Sequence, residues 1–143
     1  MKELISSGLE ALGLTGSVPP DAAEKLAEYG RLLLEKNQVM NLTAIRDEAG
    51  VARLHMLDCA ALLPCADLTG ARTLLDVGTG AGFPGLPLKI LLPQLDVTLL
   101  DSLNKRVDWL GQVCAQLGLE GIRAIHARAE EQALVKGFRD SFD

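Results

Sequence analysis

The residues best suited to chemistry lie in one run, Leu74-Leu75-Asp76-Val77-Gly78-Thr79-Gly80-Ala81-Gly82-Phe83-Pro84-Gly85, an apolar stretch that ends in a carboxylate and is followed by alternating glycines. A buried strand that stops and turns sharply into a helix has this composition, and the glycines keep the turn bare of side chains. Two readings fit: a pocket for a nucleotide-like cofactor, or a tight connection that needs glycine only for packing. A second carboxylate, Asp101 in Leu99-Leu100-Asp101-Ser102, closes another apolar run. An acid about twenty residues beyond such a turn can accept both hydroxyls of an adenosine ribose, or it can simply cap the helix that follows.

The spacing of the turn narrows its chemistry. A dinucleotide turn wants Gly-x-Gly-x-x-Gly, whereas here the third glycine is Gly82, giving Gly78-x-Gly80-x-Gly82 with Asp76 two residues ahead. That is the methyl-donor variant, in which the amino-acid part of S-adenosylmethionine lies across the bare backbone and the strand-end acid organises the loop and the ligand's ammonium. Asp76 and Asp101 do not by themselves distinguish NAD from S-adenosylmethionine. After a third apolar run, Ala127-Arg128-Ala129-Glu130-Glu131 offers an amide and a carboxylate that can read an adenine edge, although paired glutamates also suit a solvated helix start. His55 and Asp58 stand three apart on one helical face and read as a hydrogen-bonded structural pair ahead of a general base. Lys105, Arg106, Arg123 and Arg128 are either a basic patch or ordinary solvated ends.

The elements that must position these residues follow from periodicity. Leu4, Ile5, Leu9 and Leu12 predict an amphipathic helix over 3–12, and Ala22, Leu26, Tyr29 and Leu33 another to about Lys36, with Asp21 as its N-cap. Asn37 to Thr43 breaks the pattern; Asp47 can cap a third helix over 48–63 that Pro64 ends. Strands are predicted over 73–77, 96–100 and 122–126, alternating with helices over 85–92 and 104–117. Strand, helix, strand, helix, strand is a parallel α/β unit. Residues 1–70 form an N-terminal helical region and residues 71–143 the first half of a doubly wound sheet, with Phe142-Asp143 reading as the start of a fourth strand and the chain as a truncated one. Strand 73–77 would then carry an unpaired edge.

Composition bounds the rest. With 143 residues, 48% of them hydrophobic, the chain suffices for one folded domain with a real core. Gly, Pro, Lys and Asp interrupt every apolar stretch that approaches membrane-spanning length, and Met1-Lys2-Glu3-Leu4-Ile5-Ser6 lacks the pattern of a secretion signal, which predicts a cytoplasmic protein. Cys59, Cys65 and Cys114 are odd in number and widely spaced, so they read as reduced thiols and no metal site is expected. A formal charge of −5 argues against nucleic-acid binding by bulk electrostatics.

Taken in order, Asn41-Leu42-Thr43, His55-x-x-Asp58, Leu75 to Gly85 with Pro84 and Pro87, Leu99-Leu100-Asp101-Ser102 with Lys105-Arg106, and Arg128-Ala129-Glu130-Glu131 resemble one family, the bacterial 16S ribosomal RNA guanine-N7 methyltransferases RsmG (GidB). The resemblance covers nearly the whole chain. It implies a Rossmann-like class I methyltransferase fold with an N-terminal helical extension. It implies S-adenosylmethionine as cofactor, contacted at Gly78, Gly80, Phe83, Asp101, Ala129 and Glu130, with Asp76, Gly82 and Ser102 completing the turn and strand end. The implied substrate is the guanine at position 527 of 16S rRNA in the small ribosomal subunit, and the full-length protein is expected to be a monomer. Leu54, Cys59 and Asn104 replace a frequent Arg, Ser and Gly, and the family continues beyond Asp143 with the rest of the sheet and an Arg that helps to bind the cofactor.

The implied chemistry needs no catalytic residue. Guanine N7 carries an available lone pair, so holding nucleophile and methyl in line is the main task, and His55 and Asp58 stay outside the catalytic list. The ribosomal particle would be met by a local patch of Arg46, Arg53, Lys105, Arg106 and Arg123; reversing Lys105 and Arg106 to Glu is expected to weaken methylation and spare cofactor binding. The chain as written is expected to transfer methyl groups weakly or not at all. Two alternatives stand beside this reading: a nicotinamide-dependent oxidoreductase, disfavoured by Phe83 where the dinucleotide turn wants a small residue, and a non-catalytic module that binds S-adenosylmethionine or RNA.

Overall fold

A computed structural model describes residues 1–65 and 73–127. Helices α1 (Lys2–Ala11) and α2 (Ala22–Asn37) come first. A broken helical run follows: α3 (Glu48–Gly50), a π-helical segment (Val51–Leu57), α4 (Asp58–Ala60) and α5 (Leu62–Cys65). Then come β1 (Thr73–Val77), α6 (Gly85–Leu91), β2 (Asp96–Asp101), α7 (Asn104–Gln116) and β3 (Ile122–His126). The three strands form a parallel sheet in the order β1-β2-β3, as the alternation of strand and helix predicts.

One cap and one stop differ from the sequence reading, while the other cap agrees. Asp47 does cap α3, its carboxylate accepting from the Gly50 amide at 3.3 Å. Asp21 makes no such bond and instead faces Lys25 at 3.5 Å, one helical turn on. The helical run passes Pro64, because a fresh segment starts at Leu62 and puts the proline in its first turn, where a missing N–H breaks no bond.

The sheet register sets the site. Val77 pairs with Leu100, and Asp101 with His126, so Asp76 and Asp101 stand together at the carboxyl edge where parallel α/β sheets bind ligands. Central β2 is buried from Val97 to Asp101, whereas β1 is mostly half-buried. Every residue of α6 is buried, because the helix packs on β2 and is covered by α2 and α4. So short a helix would not hold alone. Burying Leu86, Leu88, Ile90 and Leu91 contributes about 1.5–3 kcal/mol each. One apolar core runs from Ile5 and Leu33 of the N-terminal helices through Leu86 to Leu99 and Leu110, so the glycine turn leading into α6 is fixed from both sides.

Candidate functional site

Asp76 closes the turn after β1. Only 8% exposed, it accepts through Oδ2 from the Thr79 hydroxyl at 2.7 Å and from the Gly85 amide at 3.0 Å, which joins the start of the loop to the start of α6. Burial pushes its carboxyl above the usual range, and these two bonds pull the other way. The Thr79 amide donates to the Leu100 carbonyl at 3.0 Å, stitching the loop to the end of β2. Gly85 permits this closeness, since a Cβ there would lie 2.5 Å from the Leu99 side chain.

The three alternating glycines face different surroundings. Gly78 and Gly80 adopt left-handed φ values of +68° and +59°, and a Cβ on either would meet nothing within 4 Å. Gly82, with φ +105°, faces inward, and a Cβ would lie 2.6 Å from Tyr29 Oη and 3.0 Å from Leu110. The outer two leave bare backbone beside open space, and the inner one lets the turn settle on the core.

Asp101, 2% exposed, completes the carboxyl edge. Its Oδ2 accepts from the Gly80 amide at 2.8 Å, its Oδ1 from the Leu103 amide at 2.9 Å, and Arg106 lies at 3.2 and 3.3 Å from the two oxygens. The carboxylate thus links the glycine turn to the entry of α7. Exposed Ser102 follows, and its carbonyl accepts from His126 Nε2 at 3.0 Å. Ala129 and Glu130, with Arg128 and Glu131, lie outside the described residues.

Sequence reading did not anticipate how the helical region grips this turn. The Tyr29 hydroxyl of α2 donates to the Ala81 carbonyl, and the Tyr29 ring lies 5.5 Å from that of Phe83. His55 stacks on Phe83 with centroids 4.3 Å apart and planes 14° apart. Its Nε2 meets the Thr43 hydroxyl at 2.7 Å. Thr43 is held in turn by Asn37, whose Oδ1 accepts from the Leu42 and Thr43 amides at 2.7 and 3.0 Å while Nδ2 donates to the Thr43 carbonyl. Among the described residues no hydrogen bond joins His55 to Asp58. The expected pairing assumed α-helical winding; in the π segment the turn is wider, so residues three apart no longer stand over each other.

Two of the arginines expected in a basic patch are engaged with carboxylates. Arg106 is bound to Asp101, so reversing its charge removes an ion pair at the carboxyl end of β2. Arg123 binds Asp96 and Thr98 at the opposite, amino end of the strands. Lys105 instead lines a cavity of about 330 Å³ with Lys36, Met40 and Trp109. Burial pushes the Cys59 thiol up to about 12 and the Cys114 thiol to about 11, so neither is a nucleophile near neutrality. No helix among the described residues is long and apolar enough to cross a membrane.

This geometry can be set beside known proteins. Residues 22–140 match the family model for rRNA small subunit methyltransferase G. The chain is 40% identical to ribosomal RNA small subunit methyltransferase G of Clostridium perfringens (strain 13), the match covering 99% of this chain and 58% of that protein. The protein of the same name from Lachnoclostridium phytofermentans is 47% identical over 95% of this chain and 55% of its own length. That of Myxococcus xanthus is 46% identical over 95% and 61%. The chain belongs to the rRNA small subunit methyltransferase G family. It spans a little over half the length of these relatives. Methyltransferase family membership implies a methyl donor. The nicotinamide alternative is not favoured.

Proposed function

We propose that this chain carries the S-adenosylmethionine-binding half of an enzyme that methylates N7 of a guanine in 16S rRNA of the small ribosomal subunit. The observation that carries the reading is the pair Gly78 and Gly80, left-handed and open, set between two buried strand-end carboxylates. These residues fit the cofactor: open glycine backbone and Asp76 toward its amino-acid end, and Asp101 toward its ribose once Arg106 yields a place on the carboxylate. When bound, S-adenosylmethionine supplies the methyl group. The chain's own residues hold and orient, and guanine N7 needs no base to accept the transfer. Residues 1–70 act as a helical brace and 71–143 as the cofactor half, with Ala129 and Glu130 assigned to the adenine side. The enzyme works in the cytoplasm, and as a monomer when full length.

Calorimetry with S-adenosylmethionine and with NAD tests this. Binding of the former alone is expected, and binding of NAD alone would overturn the proposal. The family name of the relatives supports RNA over a small-molecule acceptor.

A further inference from the structure

We propose that His55 is a positioning residue for the cofactor turn: clamped by Thr43, it fixes the ring of Phe83 and so sets the 41–46 loop and the glycine turn in one mutual arrangement. The inference rests on the reading of that turn as the cofactor site. Phe83 sits between Gly82 and Pro84 with its amide donating to the Thr79 carbonyl at 3.2 Å, which fixes its backbone and leaves the side-chain torsions to the groups packed around the ring. Of the Phe, Tyr and Trp side chains among the described residues, Tyr29 and Trp109 are buried, and Phe83 alone is half-buried. Orientation must be imposed from outside. Tyr29 meets the ring at a tilt of 38°, whereas His55 lies along its flat face at 14°.

His55 can impose an orientation because it is itself held. Thr43 Oγ1 lies 2.7 Å from its Nε2 and also accepts from the Ile45 amide at 3.2 Å, and Asn37, 3% exposed, anchors the Thr43 backbone. The π segment that carries His55 belongs to a class of distortion found frequently at functional sites. Phe83, Thr43 and Asn37 carry no charge. The charge acting on His55 is that of Asp58 on the next helical turn, so the contact that orients Phe83 is ring on ring.

The test measures the affinity of this chain for S-adenosylmethionine by calorimetry, with a thermal melt for each variant. His55→Ala should bind about threefold to tenfold more weakly, the range for loss of one aromatic pair. His55→Phe keeps the stacked ring but gives up the Thr43 bond that holds it, so it should bind more tightly than the alanine variant and more weakly than the parent while the melting temperature falls. His55→Gln keeps a polar group without a ring and should bind as weakly as the alanine variant. A purely structural role would make affinity follow the melting temperature instead. Parental affinity in His55→Ala, or binding by His55→Phe no tighter than that of His55→Ala, overturns the inference while leaving the cofactor reading intact; failure of the parent chain to bind overturns both.

Discussion

Gly80 and Gly82 stand two residues apart in one turn and answer to different constraints. At Gly80 a methyl group has room, so Gly80→Ala should lose only the cost of a left-handed φ, about 1–2 kcal/mol, while S-adenosylmethionine affinity falls by about tenfold or more. At Gly82 the same change meets both the left-handed backbone and Tyr29 Oη at 2.6 Å, so Gly82→Ala should destabilise by about 3 kcal/mol or more. Chemical denaturation beside calorimetry separates the two, and equal stability losses would contradict the division. His55 gives a prediction in pH. Burial lowers its folded pKa below the ordinary 6.5, so folding favours the neutral ring. Its contribution to stability is then fully present above about pH 6.5 and is lost as pH falls through the lowered folded value. Melting temperatures measured from pH 7.5 to 5 should decline more steeply for the parent chain than for His55→Phe.

At the scale of elements, two buried polar side chains do similar work at opposite ends of the molecule. Asn37, the last residue of α2, satisfies two amides and a carbonyl of the following loop. Lys89, 3% exposed in the last turn of α6, donates to the Pro93 carbonyl at 2.6 Å and to that of Leu95, tying off carbonyls beyond the helix end. Removing either side chain leaves buried groups unsatisfied, at about 1–3 kcal/mol each. Their functional consequences should differ. Asn37→Ala releases the loop that clamps His55, so amide exchange at Leu42 and Thr43 should quicken and cofactor affinity should fall. Lys89→Met acts at the amino end of β2, away from Asp101, so stability should drop with cofactor affinity unchanged. Loss of affinity in Lys89→Met would show that the two ends of the sheet are coupled.

Across the whole molecule, what sequence could reveal follows the range of the interactions involved. The strands, α6, α7 and the glycine turn were legible because alternation, helical period and glycine spacing are local, and Asp76 and Asp101 were legible because a carboxylate at the end of an apolar run has few other reasons to be there. The grip of Tyr29 on Ala81 spans 52 residues and leaves no periodic trace. Nor does local spacing tell π winding from α, which is why His55 was paired with Asp58 in place of Thr43. Two arginines of the expected basic patch are paired, Arg106 with Asp101 and Arg123 with Asp96, and the second pair spans 27 residues, beyond the reach of local spacing. One expectation at this scale remains open to measurement. Among the described residues β1 pairs only with β2, and Val77 at its carboxyl end is 52% exposed. An uncovered strand edge with apolar side chains invites edge-to-edge pairing, and a lysine on it opposes that pairing at little cost to the fold. If no further strand pairs with β1, the 143-residue chain should self-associate as concentration rises, seen as an increasing sedimentation coefficient. Val77→Lys should lower that association while changing the melting temperature by no more than a few degrees, about what a surface substitution within 0.5 kcal/mol produces. If the parent chain sediments as a monomer at every concentration, the β1 edge is already covered.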